Sequence, residues 1–171
     1  KMLKSYSLLI TSSLAYSIIF LSCLSISTTK AFENMEPKVI TCTISVDSLP
    51  LSTEAVLLDF SLTNLLDEKI ELLTWFTPFE GFLSDLFVIT NKETGKKLNY
   101  QGPMVKRIEP NIEDYLTISA KKTISMTLNL SQAYQFSPGI YLLKLKRSNF
   151  YLKNHKRQLI CNVPTITLFI K

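Results

Sequence analysis

The sequence predicts an all-β fold: an immunoglobulin-like antiparallel β-sandwich of about eight or nine short strands, preceded by an N-terminal hydrophobic signal segment. Three observations predict it. Beyond residue 31, apolar and polar side chains alternate in several short runs, the two-residue period of a half-buried strand. Turn-forming residues separate those runs. Ten Phe and seven Tyr favour strands, and no long stretch beyond residue 31 carries helical periodicity.

The first element is read as targeting. Lys1 and Lys4 form a positive n-region, and Ser5 to Thr29 carries no charge. Leu14 to Ile26 supplies the apolar centre. Thr29-Lys30-Ala31 places small residues at the third and last positions before a cut, so cleavage is expected after Ala31. Two alternatives stay open: an uncleaved anchor, since the stretch is long enough to span a bilayer, and lipidation of Cys23 in Leu21-Ser22-Cys23. Each puts the remaining chain outside the cytoplasm, secreted or periplasmic. The expected division is a signal segment over 1–31 and one sandwich domain over 32–171, with membrane contact only through the N-terminal segment.

The strands follow in order. Within Val39–Val46, Ile40, Cys42, Ile44 and Val46 share one face. Val56, Leu58, Phe60 and Leu62 alternate with Leu57, Asp59, Ser61 and Thr63, and Asn64 to Glu68 turns the chain. Ile70–Trp75 and Leu86–Thr90 are β-rich. Asn91 to Gly95 makes a polar hairpin turn into Lys97–Tyr100. Ile124, Met126, Leu128 and Leu130 alternate with Thr123, Ser125, Thr127 and Asn129. Ser131–Phe136 fits one helical turn. Tyr141, Leu143 and Leu145 alternate with Leu142, Lys144 and Lys146, and Tyr141 behind Ser137-Pro138-Gly139 fits a tyrosine corner. Thr165–Ile170 closes the series.

Without residues 1–31 the cysteines are Cys42 and Cys161. Export favours a disulfide between them over two buried thiols. The bridge would close a loop of more than a hundred residues, worth about 4–5 kcal/mol on the chain-entropy model.

Charge and composition exclude several functions. Removing the three positive charges of Lys1, Lys4 and Lys30 from the net +5 leaves +2, too little for a nucleic-acid partner. The one histidine, His155, lies in the polar run Lys153–Arg157, so neither a two-histidine zinc helix nor a pocketed catalytic triad is expected. One His and two Cys make no tetrahedral zinc site by themselves. Four scattered glycines supply no phosphate loop. Glu109, Glu113 and Asp114 stand beside Lys106 and Arg107, which reads as local ion pairing more than as paired catalytic acids. The expectation is a non-catalytic chain with no metal and no cofactor. Lys144, Lys146, Arg147, Lys153, Lys156 and Arg157, interleaved with Phe150 and Tyr151, fit an anionic surface or a solvated hairpin whose charges guard a strand edge; export favours the hairpin. Asn129-Leu130-Ser131 matches a glycosylation acceptor, meaningful only in a eukaryotic secretory pathway.

The middle of the chain is more specific. Leu73-Thr74-Trp75-Phe76-Thr77-Pro78-Phe79-Glu80-Gly81 precedes Asp85-Leu86-Phe87-Val88-Ile89-Thr90. Tyr100-Gln101-Gly102-Pro103-Met104-Val105-Lys106-Arg107, Pro110 and Glu113-Asp114-Tyr115 follow, then Leu130-Ser131-Gln132-Ala133-Tyr134 and Ser137, Gly139 and Tyr141. This ordered set resembles the N-terminal, non-catalytic region of deuterolysin-type zinc endopeptidases, including the peptidyl-Lys metalloendopeptidases, and Asn64 fits that family's early asparagine. The resemblance runs from about Val39 to Leu145. It implies a pro-segment or accessory β-sandwich with a protein partner, a zinc endopeptidase. The family's zinc domain, with its His-Glu-x-x-His helix, has no counterpart in these residues, so the peptidase activity is not expected here.

Read on its own chemistry, Tyr100, Met104, Lys106 and Arg107 form an aromatic and cationic loop, with Gly102 allowing a sharp turn and Pro110 stiffening the chain. Loops on a rigid sandwich carry binding, so these four are the candidate binding residues. The plainer reading makes Trp75, Phe87 and Tyr115 core and leaves Lys106 and Arg107 solvated. At the level of function the expectation is an exported domain that binds or inhibits a peptidase. The alternative is a structural or envelope-associated sandwich that binds surface components.

Overall fold

The computed structural model describes residues 38–46, 51–153 and 155–171; the expected signal segment lies outside them. The described chain is all-β, with ten strands in three antiparallel sheets and only short 3-10 turns. The first sheet holds β1 (Ile40–Ser45), β2 (Leu57–Asn64) and β6 (Thr123–Asn129) in the order β1-β2-β6. The second holds β4 (Phe87–Asn91), β7 (Gly139–Leu145) and β10 (Ile166–Ile170) in the order β10-β7-β4. In chain order these are the ABE and GFC sheets of an immunoglobulin-like sandwich. The third sheet, order β5-β3-β8-β9, joins β3 (Ile70–Leu73), β5 (Tyr115–Ile118), β8 (Asn149–Leu152) and β9 (His155–Ile160). It carries the count past the expected eight or nine, because Asn149–Ile160 pairs as a hairpin of its own and docks on β3.

The alternation read from sequence is the buried pattern. Leu58, Phe60 and Leu62 on the central strand β2 are fully buried, as are Leu72, Leu143 and Leu168. All three sheets contribute to one apolar cluster. Phe60 packs edge-to-face against Phe79 at 5.2 Å and Phe150 at 6.2 Å, each such pair adding about 0.5–1.5 kcal/mol beyond burial. The outer face of the first sheet is polar: Ser61 bonds Ser125 and Thr63 bonds Thr123 across the β2–β6 pair. Two segments depart from expectation. Lys97–Tyr100 forms isolated bridges to Thr90 and Tyr134 in place of a strand. The helical turn sits one residue earlier, at Leu130–Gln132, because the Asn129 side chain caps it by accepting from Ser131 N.

Two polar devices fix the turns. Asn64 is completely buried. Its amide donates to the carbonyls of Glu68, Ile118 and Ser119 at 2.8–3.2 Å, and its Oδ1 accepts from Leu66 N. One side chain thus satisfies the backbone of two turns that would otherwise face an apolar core unpaired. Tyr141 forms the expected tyrosine corner: its buried ring packs on Phe136, and its hydroxyl meets Ser137 O at 3.0 Å and Ser137 N at 3.3 Å.

Cys42 on β1 and Cys161 beyond β9 form a disulfide with Cα atoms 5.4 Å apart, spanning 119 residues. Both are buried. It ties the first sheet to the end of the third. Reduction is expected to lower the unfolding free energy by about 4–5 kcal/mol, measured by urea titration with and without reductant; a loss below about 1 kcal/mol would show that the bridge constrains little.

Candidate functional site

Several of the residues quoted for the family resemblance meet in one partly buried polar knot around Glu80 and Asp114. After β3, Thr74 N and Oγ1 both donate to Asp114 O, which draws the chain against the start of β5. Thr77 then caps η1 (Pro78–Glu80), its Oγ1 donating to Thr74 O and accepting from Phe79 N. Pro78 suits the first helical position, where no N–H partner is needed. Between them Phe76 is held at φ +59°, in the left-handed region, which costs a bulky side chain about 1–2 kcal/mol.

Glu80 holds that conformation. Its side chain is nearly fully buried, and it accepts from Phe76 N at 2.8 Å, Ser84 Oγ at 2.7 Å and Arg107 Nη2 at 2.5 Å. The Arg107 guanidinium also lies 5.1 Å from the Trp75 ring centroid. Trp75 Nε1 donates to Asp114 Oδ1 at 2.8 Å, and Asp114 Oδ2 accepts from Asn111 N in a capping box. The Asn111 amide first, then the Trp75 indole, hold the Asp114 carboxyl below the usual carboxylate range, with Arg107 adding to the effect.

A second chain of bonds supports the same loop. The buried Tyr134 hydroxyl donates to Asp85 Oδ1 at 2.8 Å, and Asp85 Oδ2 accepts from Lys146. Burial, reinforced by the Asp85 carboxylate, pushes the Tyr134 phenol far up. Tyr100 stacks edge-to-face on Tyr134 at 5.6 Å. Its hydroxyl lies 2.8 Å from the carbonyls of both Phe82 and Pro103, and burial, then Asp85 and Glu80, raise its pKa. A Cβ on Gly102 would stand 2.6 Å from Cζ of the Tyr100 ring, so only glycine lets the ring fold back over the chain.

The four candidate binding residues therefore separate. Tyr100 and Arg107 turn inward and pin the two ends of the loop. Met104 is 78% exposed, and Lys106 is exposed with no ion pair among the described residues. Sequence reasoning missed Ile108 and Ile112, which follow Met104 and Val105 along the chain and are 93% and 75% exposed. The available signal was their position around Pro110, outside any alternating run. Met104 and Val105 form an exposed apolar tip between the pinned Tyr100 and Arg107, and Ile108 and Ile112 continue the exposed apolar stretch past Arg107, which suits contact with another molecule. Among the residues read as core, Phe87 is buried, whereas Trp75 and Tyr115 are half-buried. Among the described residues no group of three or more His, Cys, Asp or Glu is placed to hold a metal ion. His155 starts β9, so the turn lies just before it.

Glu80→Ala removes three bonds at once and strands Arg107, so it is expected to lower stability by about 3–5 kcal/mol. Lys106→Ala should change it by less than about 0.5 kcal/mol. Urea titration of both variants checks this; equal small effects would mean that the knot does not hold the loop.

No family model matches the chain. It is similar to an extracellular protease of Aeromonas hydrophila, 27% identical over 86 residues, which is 50% of this chain and 24% of that protease. The match therefore spans about a quarter of the length of that relative.

Proposed function

We propose that this chain is an exported, protease-associated binding domain, of the pro-segment type found beside deuterolysin-like zinc endopeptidases, and that it acts by binding a protein partner without catalysis of its own. The observation that carries the reading is the run of exposed apolar side chains Met104, Val105, Ile108 and Ile112, the first two between the pinned Tyr100 and Arg107. Apolar side chains held in place before binding lose less conformational entropy on association, so more of their burial shows as affinity. Here Tyr100 and Arg107 do the holding, through the Phe82 and Pro103 carbonyls and through Glu80.

The similarity to an extracellular protease supports the association with proteolysis. The disulfide between Cys42 and Cys161 is compatible with an extracytoplasmic location, where such bonds persist. In this reading the tip enters an apolar site on a zinc endopeptidase and holds it inactive or assists its folding.

The test mixes the purified chain with deuterolysin-type endopeptidases and measures both binding and residual activity. Binding is expected, weakened at least about tenfold by the double substitution Met104→Ser and Ile108→Ser, each lost anchor being worth about 1–2 kcal/mol. Absence of binding to every such peptidase would overturn the reading. Retention of the protein on envelope fractions instead would favour a structural, surface-binding role.

A further inference from the structure

A second feature lies beyond the apolar tip, in a cleft of about 260 Å³ between Trp75–Phe76 on one side and Lys146–Asn149 with Tyr151 on the other. Its lining holds two cations and no Asp or Glu. Lys146 is engaged by Asp85, but Arg147 is exposed and makes no ion pair among the described residues. The Arg147 guanidinium stacks over the Phe76 ring, 4.1 Å from its centroid.

That stacking has a chemical consequence. A guanidinium over a ring face leaves N–H groups at its edge open to an anion. Such a fork matches a carboxylate, which it binds through two parallel hydrogen bonds. The ring beneath it is itself held in place, because Phe76 stands at φ +59° with its N–H bonded to the buried Glu80. Across the cleft, Tyr151 is 46% exposed and its hydroxyl accepts from Gln158 Nε2 at 2.8 Å. Trp75 and Tyr151 thus set aromatic rings beside a cationic fork, in a lining that is polar overall.

We propose that this cleft binds a carboxylate-bearing end or side chain of a polypeptide, with an aromatic or large apolar residue next to it. Charge complementarity selects the anion, and the aromatic walls select its neighbour. The size favours one short chain feature over an oligosaccharide, since the cleft falls below the range of about 300–1,000 Å³ that takes larger ligands. The site does not depend on the role of the Met104–Ile112 tip, so the two can fail separately.

Trp75 is the single tryptophan of the chain, and its fluorescence reports directly on the cleft. The full chain is titrated with N-acetyl-phenylalanyl-glutamate, with the same peptide in which both carboxyls are amides, with glucuronate and with inorganic phosphate. The acidic peptide is expected to give a saturable change that weakens with added salt. Arg147→Gln should weaken it at least about tenfold, Arg147→Lys by less, because charge survives but the planar fork does not. Lys92→Gln, in the distant Asn91–Gly95 turn, should leave it unchanged. Arg147 is exposed, so an unaltered urea midpoint for Arg147→Gln shows that the variant is folded. No saturable change, equal binding of the amide peptide, or unchanged affinity in Arg147→Gln overturns the proposal. Tighter binding of glucuronate or phosphate than of the peptide overturns it in favour of a glycan or a free anion.

Discussion

The structure depends on the contact of one side chain, Phe60, with two aromatic rings. Phe60 lies at the middle of the central strand β2, fully buried, with Phe79 of η1 and Phe150 of β8 both edge-on to it. Through those contacts the first sheet meets the third sheet and the loop that follows β3. The Cys42–Cys161 bridge repeats the same tie covalently. The loop that carries the candidate residues stands on this junction, since η1 carries Glu80, and Glu80 holds both Phe76 and Arg107.

The knot around Glu80, Asp114 and Asp85 draws together residues that lie far apart along the chain. Trp75, Thr77, Glu80, Tyr100, Gly102, Arg107, Asp114 and Tyr134 are distant in sequence, yet they bond or pack with one another. Buried carboxylates are costly unless paired and fully hydrogen-bonded. Glu80 meets that condition with three donors, and the strain at Phe76 is offset there. Such a network fixes loops that lack regular strand pairing, and it leaves the residues between its anchor points free to face outward.

The fold was largely legible in the sequence because strands announce themselves locally. The alternation in β2 and β7 has a two-residue period set by the pleat, and burial followed it. The tyrosine corner at Tyr141 and the disulfide were readable from their neighbours and from compartment. The third sheet was not, because Asn149–Ile160 reads as a charged hairpin until β3 is seen beside it. The site was legible only in part. Tyr100 and Arg107 have the chemistry of contact residues, and nothing local says that Phe82 O, Pro103 O and Glu80 claim them first. Ile108 and Ile112 carry no pattern at all; they lie between Arg107 and β5, outside any strand, and both face solvent.

The proposed recognition surfaces, the exposed stretch around Met104 and the cleft at Arg147, both stand on rigidity transmitted from this core. The central claim is that the Phe60 junction and the Trp75 loop form one cooperative unit. Equilibrium unfolding of Phe60→Ala, followed at once by far-ultraviolet circular dichroism and by Trp75 fluorescence, tests it most directly. The two signals should stay coincident and shift together by about 3–5 kcal/mol. A variant that loses less than about 1 kcal/mol, or in which Trp75 reports a separate transition, would contradict the account.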